Sequence, residues 1–396
     1  MGSRVKTDSG EMASIDRTPS FVFDETTLVA DTILARTALE SCGAHLLFAM
    51  KSCAFGPALE SLARHTDGLH ASSLFEAKLA RQILGPEGKI HVTTPSIPPA
   101  EIDETCALAD MISCNSLSQF DMLQTCLDRH ASLGLRLNPG MSFVRDERYD
   151  PCRRHSKLGA TIDDVCAVLA DDPARLRELK GLLVHTNCES EDFRELKATV
   201  DRLDESLPAL LEQIEWINLG GGYMFRDTTE YDALNEAVSL LRSKYDVTVY
   251  MEPGASIIQR AGRLVASVLD VFWSGGQQIA VLDASLNHLP EYYEFQMEPD
   301  VAGDCVQSGH RYIVAGGTCL AGDVFGDYEF AAPLRPGSRV VFENVGAYSM
   351  VKANMFNGIN LPSVYWKPAD GACSLEKSYN YKHFLERCGV ASHEDI

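Results

Sequence analysis

Short β-like runs and stretches of helical periodicity alternate along this chain from Phe21 to about residue 254. Segments such as LFEAKLARQIL, which lie between the runs, place apolar residues three and four positions apart, as amphipathic helices do. Eight β-units with intervening helices predict an α/β fold of the (β/α)8 barrel type. A doubly wound open sheet has the same local pattern and is the alternative. The runs are HLLFAMK (residues 45–51), GLHAS (68–72), KIHVTT (89–94), DMISCN (110–115), LGLRLNPG (133–140), KGLLVHTN (180–187), IEWINLGGG (214–222) and DVTVYMEPG (246–254).

The pattern changes after Val271. Glycine and proline turns separate short strands such as QIAVLD, RYIVAGGT and SRVVFENV, and no long helical pattern returns before the last residues. This pattern of short strands separated by turns predicts a second, mostly β domain. We therefore predict a flexible leader over residues 1–20, a barrel over residues 21–265 and a C-terminal β domain over residues 266–396.

Polar side chains stand at the C-terminal ends of the predicted strands, where a barrel assembles its chemistry. Lys51 ends the buried run LLFAM, and a lysine ammonium is costly to bury unless it is paired or chemically altered. Taken alone, such a lysine usually extends to the surface from the strand end. The residues at the predicted strand ends are Lys51, Ser72, Thr94, Asn115, Asn138, His185, Gly220–Gly222 and Glu252. A barrel with a purely structural role would not need all of these residues on one rim.

These residue types match the needs of pyridoxal 5′-phosphate (PLP), which are a lysine imine, a partner for the pyridine nitrogen and a phosphate anchor. Lys51 would form the Schiff base, the triple glycine would approach the phosphate through backbone N–H groups, and Glu252 would keep the pyridine nitrogen protonated. His185 would stack on the ring. Structural alternatives stay open: a tight turn for the glycines, a core position for His185, and a helix cap or rim ion pair for Glu252.

Composition restricts the class of partner. A formal net charge of −21 disfavours nucleic acid, whose binding depends on basic contacts to phosphate, and permits a small cationic substrate. No apolar run approaches the roughly 20 residues of a membrane helix, and the polar N-terminal segment lacks the apolar core of a secretion signal. The 12 cysteines include no CxxC pair, so we expect reduced thiols, a cytoplasmic protein and no metal site.

Longer strings resemble the fold-type III PLP-dependent decarboxylases, which act on ornithine, diaminopimelate or carboxynorspermidine. FAMKS, LGGG and EPG are similar to the lysine, phosphate-binding and pyridine-binding segments of that group. The resemblance is most specific to carboxynorspermidine/carboxyspermidine decarboxylases and extends from about Phe21 to Trp366. The strings that carry it are GGTCLAGDVFGDY (residues 316–328), MVKANMFNGINLPS (350–363), YDPCRRHSKLG (149–159), HTNCE (185–189) and NHLPE (287–291).

This resemblance implies an alanine racemase-like fold, with a PLP-binding (β/α)8 barrel and a C-terminal mostly β domain. It also implies a head-to-tail homodimer with shared active sites. The implied activity is that of a PLP-dependent carboxy-lyase of polyamine biosynthesis. Its substrate would be a cationic, polyamine-type amino acid that loses its α-carboxylate.

The resemblance also implies roles for individual residues. Cys319 of the partner subunit would protonate Cα after CO2 leaves, since a thiol can donate a proton at neutral pH. A cysteine taken alone is more often a small core residue. Only the glycine-rich segment around Cys319 favours a catalytic role for this thiol. The implied cofactor contacts are Lys51, His185, Gly220, Gly221, Gly222, Glu252, Gly254 and Tyr348. The implied substrate contacts are Glu252, Glu189, Glu291 and Asp323, whose negative charges suit an amine tail.

The chain departs from this family near the expected amine tail. Ala255 follows EPG, where related enzymes tend to have glutamate or arginine, Glu291 stands where aspartate is common, and Ala347 replaces an expected histidine. Diaminopimelate, ornithine, lysine or a specialised-metabolism amino acid therefore stay open as substrates. A PLP racemase and a non-catalytic regulatory relative are further alternatives, although an intact set of candidate catalytic residues favours decarboxylation.

Overall fold

A computed structural model of the protein describes residues 15–126, 130–304 and 309–390. The described chain divides into two compact units. We call residues 29–257 the barrel unit, and the described residues before Val29 and after Ile257 the sheet unit.

The elements have the following bounds. The strands are β1 (Ser20–Asp24), β2 (His45–Ala49), β3 (Gly68–Ala71), β4 (Lys89–Thr94), β5 (Met111–Cys114), β6 (Ser132–Asn138), β7 (Ala160–Thr161), β8 (Gly181–Val184), β9 (Trp216–Asn218), β10 (Thr248–Met251), β11 (Gly262–Ser274), β12 (Gln277–Leu282), β13 (Arg311–Ala315), β14 (Val324–Glu329), β15 (Arg339–Phe342), β16 (Ser363–Lys367) and β17 (Ser374–Lys377). The α-helices are α1 (Glu25–Cys42), α2 (Gly56–Ala63), α3 (Leu74–Leu84), α4 (Ile102–Leu108), α5 (Leu117–Gln124), α6 (Ile162–Asp171), α7 (Arg194–Ser206), α8 (Pro208–Leu211), α9 (Asp232–Tyr245), α10 (Ala255–Ile258), α11 (Pro290–Phe295) and α12 (Tyr381–Arg387).

Eight parallel strands close the barrel unit. Their order is β5-β4-β3-β2-β10-β9-β8-β6, and β5 pairs with β6 to complete the circle. The short β7 extends the sheet from β6. Each of the eight β-runs recognised in the sequence overlaps one of these strands, so the predicted barrel is confirmed and the open sheet is wrong.

Trp216 fills the inside of the barrel beside two glycines. A Cβ at Gly181 would come within 2.1 Å of the Trp216 ring, and one at Gly134 within 2.4 Å. The indole N–H donates to Ser132 Oγ at 2.9 Å. These glycines are therefore needed because the indole occupies the space of their missing side chains.

Helix caps tie two strand ends to the helices that follow them. Ser73 at the start of α3 accepts a hydrogen bond from the Glu76 N–H, and Ser116 at the start of α5 accepts one from the Gln119 N–H. The Glu76 and Gln119 side chains in turn accept hydrogen bonds from the N–H groups that follow β3 and β5. This reciprocal capping holds the rim of the barrel in place.

The sheet unit contains eight strands in the order β14-β13-β12-β11-β1-β16-β17, with β15 paired to β11. The strand β1 lies antiparallel to β11 and parallel to β16, with Phe21 opposite Leu264 and Val364. The predicted boundaries of the barrel at residues 21 and 265 differ from this division at both ends. The apolar run SFVFD belongs to the second sheet because its pairing partners lie more than two hundred residues away, where local periodicity carries no signal.

The predicted leader of residues 1–20 also needs correction at its end. Its first fourteen residues lie outside the described segments. Ile15, however, is 2% exposed and packs with Val22, Val265, Val341 and Tyr365. Burial of this apolar side chain fixes the chain ahead of β1.

In the described segments, no helix combines the length and the apolar character needed to cross a membrane. Every cysteine of those segments has a free thiol.

Candidate active site

Lys51 lies in a 3-10 turn, Met50–Ser52, that directly follows β2. Met50 and Ser52 are buried, whereas Lys51 is half-buried. Within the described residues Lys51 forms no ion pair with a carboxylate. The turn therefore delivers an unpaired amine to the C-terminal rim of the barrel.

A cavity of about 390 Å³ opens beside this amine. Its charged and titratable lining includes Lys51, His70, Arg136, His185 and Glu252, which come from five different strand ends or strands of the barrel. The loop between β6 and β7, residues 139–159, adds basic side chains to the lining, among them those of Arg148, Arg153 and Lys157. A larger cavity of about 600 Å³, between α7 and α9, contains none of the predicted site residues.

The two imidazoles of the cavity are held neutral. Burial lowers the pKa of His185 well below its ordinary value, and the charges of Lys51 and Arg136 lower it further. Burial and the same two cations lower the pKa of His70. The His185 Nδ1 atom accepts a hydrogen bond from the Gly221 N–H at 3.2 Å, so the proton of this ring lies on Nε2.

His70 is 2% exposed, and neither of its ring nitrogens has a hydrogen-bond partner among the described residues. Its Nε2 atom lies 3.2 Å from Glu252 Oε2, but the two are not aligned for a hydrogen bond. Arg136 on β6 is 9% exposed, and burial lowers the pKa of its guanidinium. A buried imidazole without a partner and a buried cation are costly in a folded core, and they indicate a site made for a polar ligand.

Glu252 follows β10 and is 4% exposed. Its Oε2 atom accepts a hydrogen bond from Asn218 Nδ2 at 2.8 Å, and its backbone N–H donates to Gly220 O at 2.8 Å. Among the described residues, no hydrogen bond reaches Oε1. The carboxylate is therefore oriented by one oxygen and has the other available for an N–H donor in the cavity.

The triple glycine after β9 packs tightly against neighbouring strand ends. A Cβ at Gly220 would meet Val184 O at 2.6 Å, one at Gly221 would meet Glu252 O at 2.4 Å, and one at Gly222 would meet Asn187 O at 2.2 Å. Gly220 and Gly222 also have positive φ angles of 73° and 85°. Only glycine fits this turn, which joins the ends of β8, β9 and β10.

The other predicted residues of the barrel unit are more peripheral. Gly254 lies two residues after Glu252, and a Cβ there would meet Ser52 Oγ at 2.8 Å. Glu189 is exposed in the loop after β8, with a positive φ of 53°. In the described chain, the residues that line the 390 Å³ cavity include neither of these nor the three glycines.

Cys319 and Asp323 lie together in a turn of the sheet unit. The Cys319 side chain is exposed, and its N–H donates to Asn357 Oδ1 at 2.8 Å. Asp323 is 3% exposed and accepts hydrogen bonds from the N–H groups of Leu286 and Thr318. Each oxygen of Asp323 thus accepts a backbone hydrogen bond, one from within the turn and one from the Leu286–His288 segment.

Tyr348 and Glu291 belong to the same unit. Tyr348 is half-buried and has a φ of 53°, a left-handed conformation that a bulky residue adopts only when its surroundings impose it. Glu291 on α11 lies 3.6 Å from Lys352 Nζ, which also pairs with Glu294 at 2.6 Å. The predicted site residues thus form two groups, one in each unit.

Comparison with known proteins decides the family. Residues 26–267 match the pyridoxal-binding domain model of the pyridoxal-dependent decarboxylases. The chain belongs to this family. The predicted decarboxylase activity and the predicted PLP cofactor are thereby confirmed.

Two curated relatives are similar to this decarboxylase over nearly their whole length. The carboxynorspermidine/carboxyspermidine decarboxylase of Herminiimonas arsenicoxydans is 33% identical, over 93% of this chain and 98% of the relative. The carboxyaminopropylagmatine decarboxylase of a Synechocystis strain is also 33% identical, over 94% of this chain and 95% of the relative.

A solved structure is equally similar. The carboxynorspermidine decarboxylase of Campylobacter jejuni, complexed with norspermidine, matches with a TM-score of 0.82 and 30% identity, over 94% of this chain and all of the solved chain. The diaminopimelate decarboxylase of Helicobacter pylori has the same TM-score at 19% identity, which supports the fold alone. The resemblance seen in the sequence and the fold-type III prediction are confirmed.

The cavity fits PLP. Within the described segments, it offers the unpaired Lys51 amine, a Glu252 oxygen that accepts no hydrogen bond, and the His70 imidazole, whose ring nitrogens have no hydrogen-bond partner. Sequence reasoning missed His70, His91, Arg136 and Asn218. A signal was present, since each is a polar side chain within one of the eight β-runs recognised in the sequence, and the structure buries all four.

Proposed function

We propose that this enzyme removes the α-carboxylate of a polyamine-type amino acid of the carboxynorspermidine or carboxyspermidine kind, and that Lys51 is the residue that binds PLP covalently. The observation that carries the proposal is the unpaired Lys51 amine in one cavity with Glu252 and two neutral imidazoles. Bound PLP supplies an electron-accepting ring that stabilises the negative charge left at Cα when CO2 departs.

The chain's own residues have distinct proposed tasks. Glu252 holds a proton on the pyridine nitrogen, because its carboxylate is buried and oriented. His185 packs against the ring as a neutral imidazole, since burial keeps its pKa low. The turn Gly220–Gly222, with Gly254 and Tyr348, holds the phosphate. The fixed turn and the fixed carboxylate hold the two ends of the cofactor at set positions.

Cys319 of the partner subunit is proposed to protonate Cα in a homodimer with shared active sites. Its exposed thiol on a turn braced by buried Asp323 supports this role, because the turn presents the sulfur outward. Exposed large apolar residues of the sheet unit, Leu269 at 57% and Trp273 at 69%, are consistent with an interface. Specific activity should then fall on dilution as dimers dissociate, and full activity in a proven monomer would contradict shared sites.

Acidic residues are proposed to bind the cationic tail of the substrate. Glu189, Glu291 and Asp323 are the candidates, with Glu252 near the reacting end. The Asp323 carboxylate also braces the turn that carries Cys319. The comparisons favour one second candidate substrate, carboxyaminopropylagmatine, because a relative named for it is as similar as those named for carboxynorspermidine. We also propose a cytoplasmic location, in keeping with the free thiols of the described segments.

CO2 release from a panel of amino acids tests the proposal. The panel comprises carboxynorspermidine, carboxyspermidine, carboxyaminopropylagmatine, diaminopimelate, ornithine and lysine. We expect the highest kcat/KM for one of the first two, and a higher value for carboxyaminopropylagmatine would select the second candidate. Preference for diaminopimelate, ornithine or lysine would refute a polyamine-type substrate.

A lysine variant tests the role of Lys51. Lys51→Ala should lose the visible absorbance of lysine-bound PLP together with activity. Lys78→Ala is the matched control, because Lys78 is an exposed lysine paired with Glu104 on a neighbouring helix. Retained absorbance in Lys51→Ala would remove Lys51 from the mechanism.

A further inference from the structure

One buried amide connects two parts of the candidate site. Asn218, the last residue of β9, is 0% exposed. Its Nδ2 atom donates to Glu252 Oε2 and to His91 Nδ1, both at 2.8 Å, and its Oδ1 atom accepts from the Gly220 N–H at 2.8 Å. We propose that Asn218 is a positioning residue that fixes the Glu252 carboxylate and the glycine turn together, an inference that rests on the proposed function.

The Asn218 amide sets the tautomer of His91. An amide nitrogen can only donate, so His91 Nδ1 must accept, and the ring proton lies on Nε2. That Nε2 atom lies 2.8 Å from Ser113 Oγ, which takes its hydrogen bond. Burial, with a contribution from His70, lowers the pKa of His91 to about 3, so the ring stays neutral near physiological pH. A flip of the Asn218 amide would lose its hydrogen bonds to Glu252 Oε2 and from the Gly220 N–H, because neither partner can reverse its role.

The two halves of the amide have separable tasks. Its N–H groups orient the carboxylate, and its oxygen orients the first glycine of the turn. Asn218→Asp keeps the oxygen for Gly220 but removes both donors and adds a carboxylate beside Glu252. Asn218→Ala removes both halves and adds no charge. The variants therefore separate the carboxylate from the turn.

The surroundings of Glu252 determine what the added charge does. The groups that face it are His70 from β3, His91 from β4 and Arg136 from β6, and Lys51 and His185 line the same cavity. Two carboxylates side by side in a buried site share a proton and titrate as a coupled pair. Asn218→Asp should therefore introduce a new pH-dependent transition.

The experiment measures, for each variant, the PLP affinity, the kcat and KM for CO2 release, and the visible spectrum of the bound cofactor. The spectrum is recorded from about pH 5 to about pH 9. For Asn218→Asp we expect near-parental PLP affinity, a kcat at least about tenfold lower at little-changed KM, and a new spectral transition with pH. For Asn218→Ala we expect PLP affinity lower by about tenfold and no new transition. Asn354→Asp is the matched control, since the side-chain hydrogen bond described for Asn354, accepted by Oδ1 from the Phe356 N–H, survives the change.

A parental spectrum, pH profile and kcat in Asn218→Asp would overturn the inference, as would equal effects in Asn218→Asp and Asn354→Asp. If Asn218→Asp does not fold, parental PLP affinity and kcat in Asn218→Ala would overturn it instead. A parent protein that binds no PLP or releases no CO2 would refute the proposed function itself, which is a different outcome.

Discussion

Acid should weaken the sheet unit through one buried histidine. His288 is 0% exposed, its Nε2 atom has no hydrogen-bond partner among the described residues, and its Nδ1 atom accepts from the Ser285 N–H at 3.2 Å. Burial lowers its pKa to about 4 from an ordinary value of 6.5. The Leu286 N–H in the same turn donates to Asp323, so His288 lies next to the turn that presents Cys319.

The sign and the size of the effect follow from proton uptake. Because the folded pKa is lowered, the unfolded chain takes up a proton below about pH 6.5 that the folded chain refuses until about pH 4. The stability from neutral His288 is therefore present above pH 6.5 and is lost as the pH falls toward 4. Integrated from pH 7 to pH 5, the uptake difference corresponds to about 2 kcal/mol.

His288→Asn removes this proton but keeps an oxygen to accept the Ser285 N–H. We expect the variant to lose about 2 kcal/mol less free energy of unfolding than the parent between about pH 7 and pH 5. Urea unfolding followed by circular dichroism at both pH values measures the difference. His130→Asn is the control, because the His130 side chain is 68% exposed. The same acid-induced loss in His288→Asn and the parent would refute the reasoning.

Two further predictions concern the thiol and the barrel interior. Cys319→Ala should lower kcat for CO2 release by about 100-fold while PLP absorbance is retained. Cys388→Ala, at another exposed cysteine, is the control. Parental turnover and product in Cys319→Ala would exclude the thiol as the proton donor. Gly181→Ala should lower the free energy of unfolding by about 1–3 kcal/mol, because the added Cβ would meet Trp216. Gly56→Ala is the control, since a Cβ at Gly56 meets open space. Equal urea unfolding midpoints for the two variants would contradict this packing.

Local patterns predicted the barrel well. Each apolar run became a strand because strands covered by helices on one side and filled inside are buried along their length, as in β3 and β8. Lys51, His185 and Glu252 could be found because barrel chemistry collects at strand ends, and the structure does bring them to one cavity.

What sequence reasoning missed depends on distant pairing or on the inside of the barrel. The predicted barrel boundary at residue 21 places most of the run SFVFD in the barrel, yet its partners β11 and β16 lie far along the chain in the second sheet. His70 and Arg136 sit within strands rather than at their ends, so their contact with the cavity depends on which face the strand turns inward. The hydrogen bonds that Asp323 accepts from Leu286 and Thr318 also depend on tertiary structure, which the sequence pattern does not show.

The tryptophan inside the barrel can serve as an intrinsic fluorescence probe of PLP binding. Of the three tryptophans of the chain, Trp216 alone belongs to the barrel unit, with Trp273 and Trp366 in the sheet unit. Its indole is held edge-on to His91, at 5.1 Å between ring centroids, so it has little freedom to reorient. The fluorescence emission of this fixed indole overlaps the absorption of the coenzyme. Replacement of the other two tryptophans by Phe would leave Trp216 as the single emitter, and the decrease in its fluorescence during a titration with PLP would measure the fraction of occupied sites.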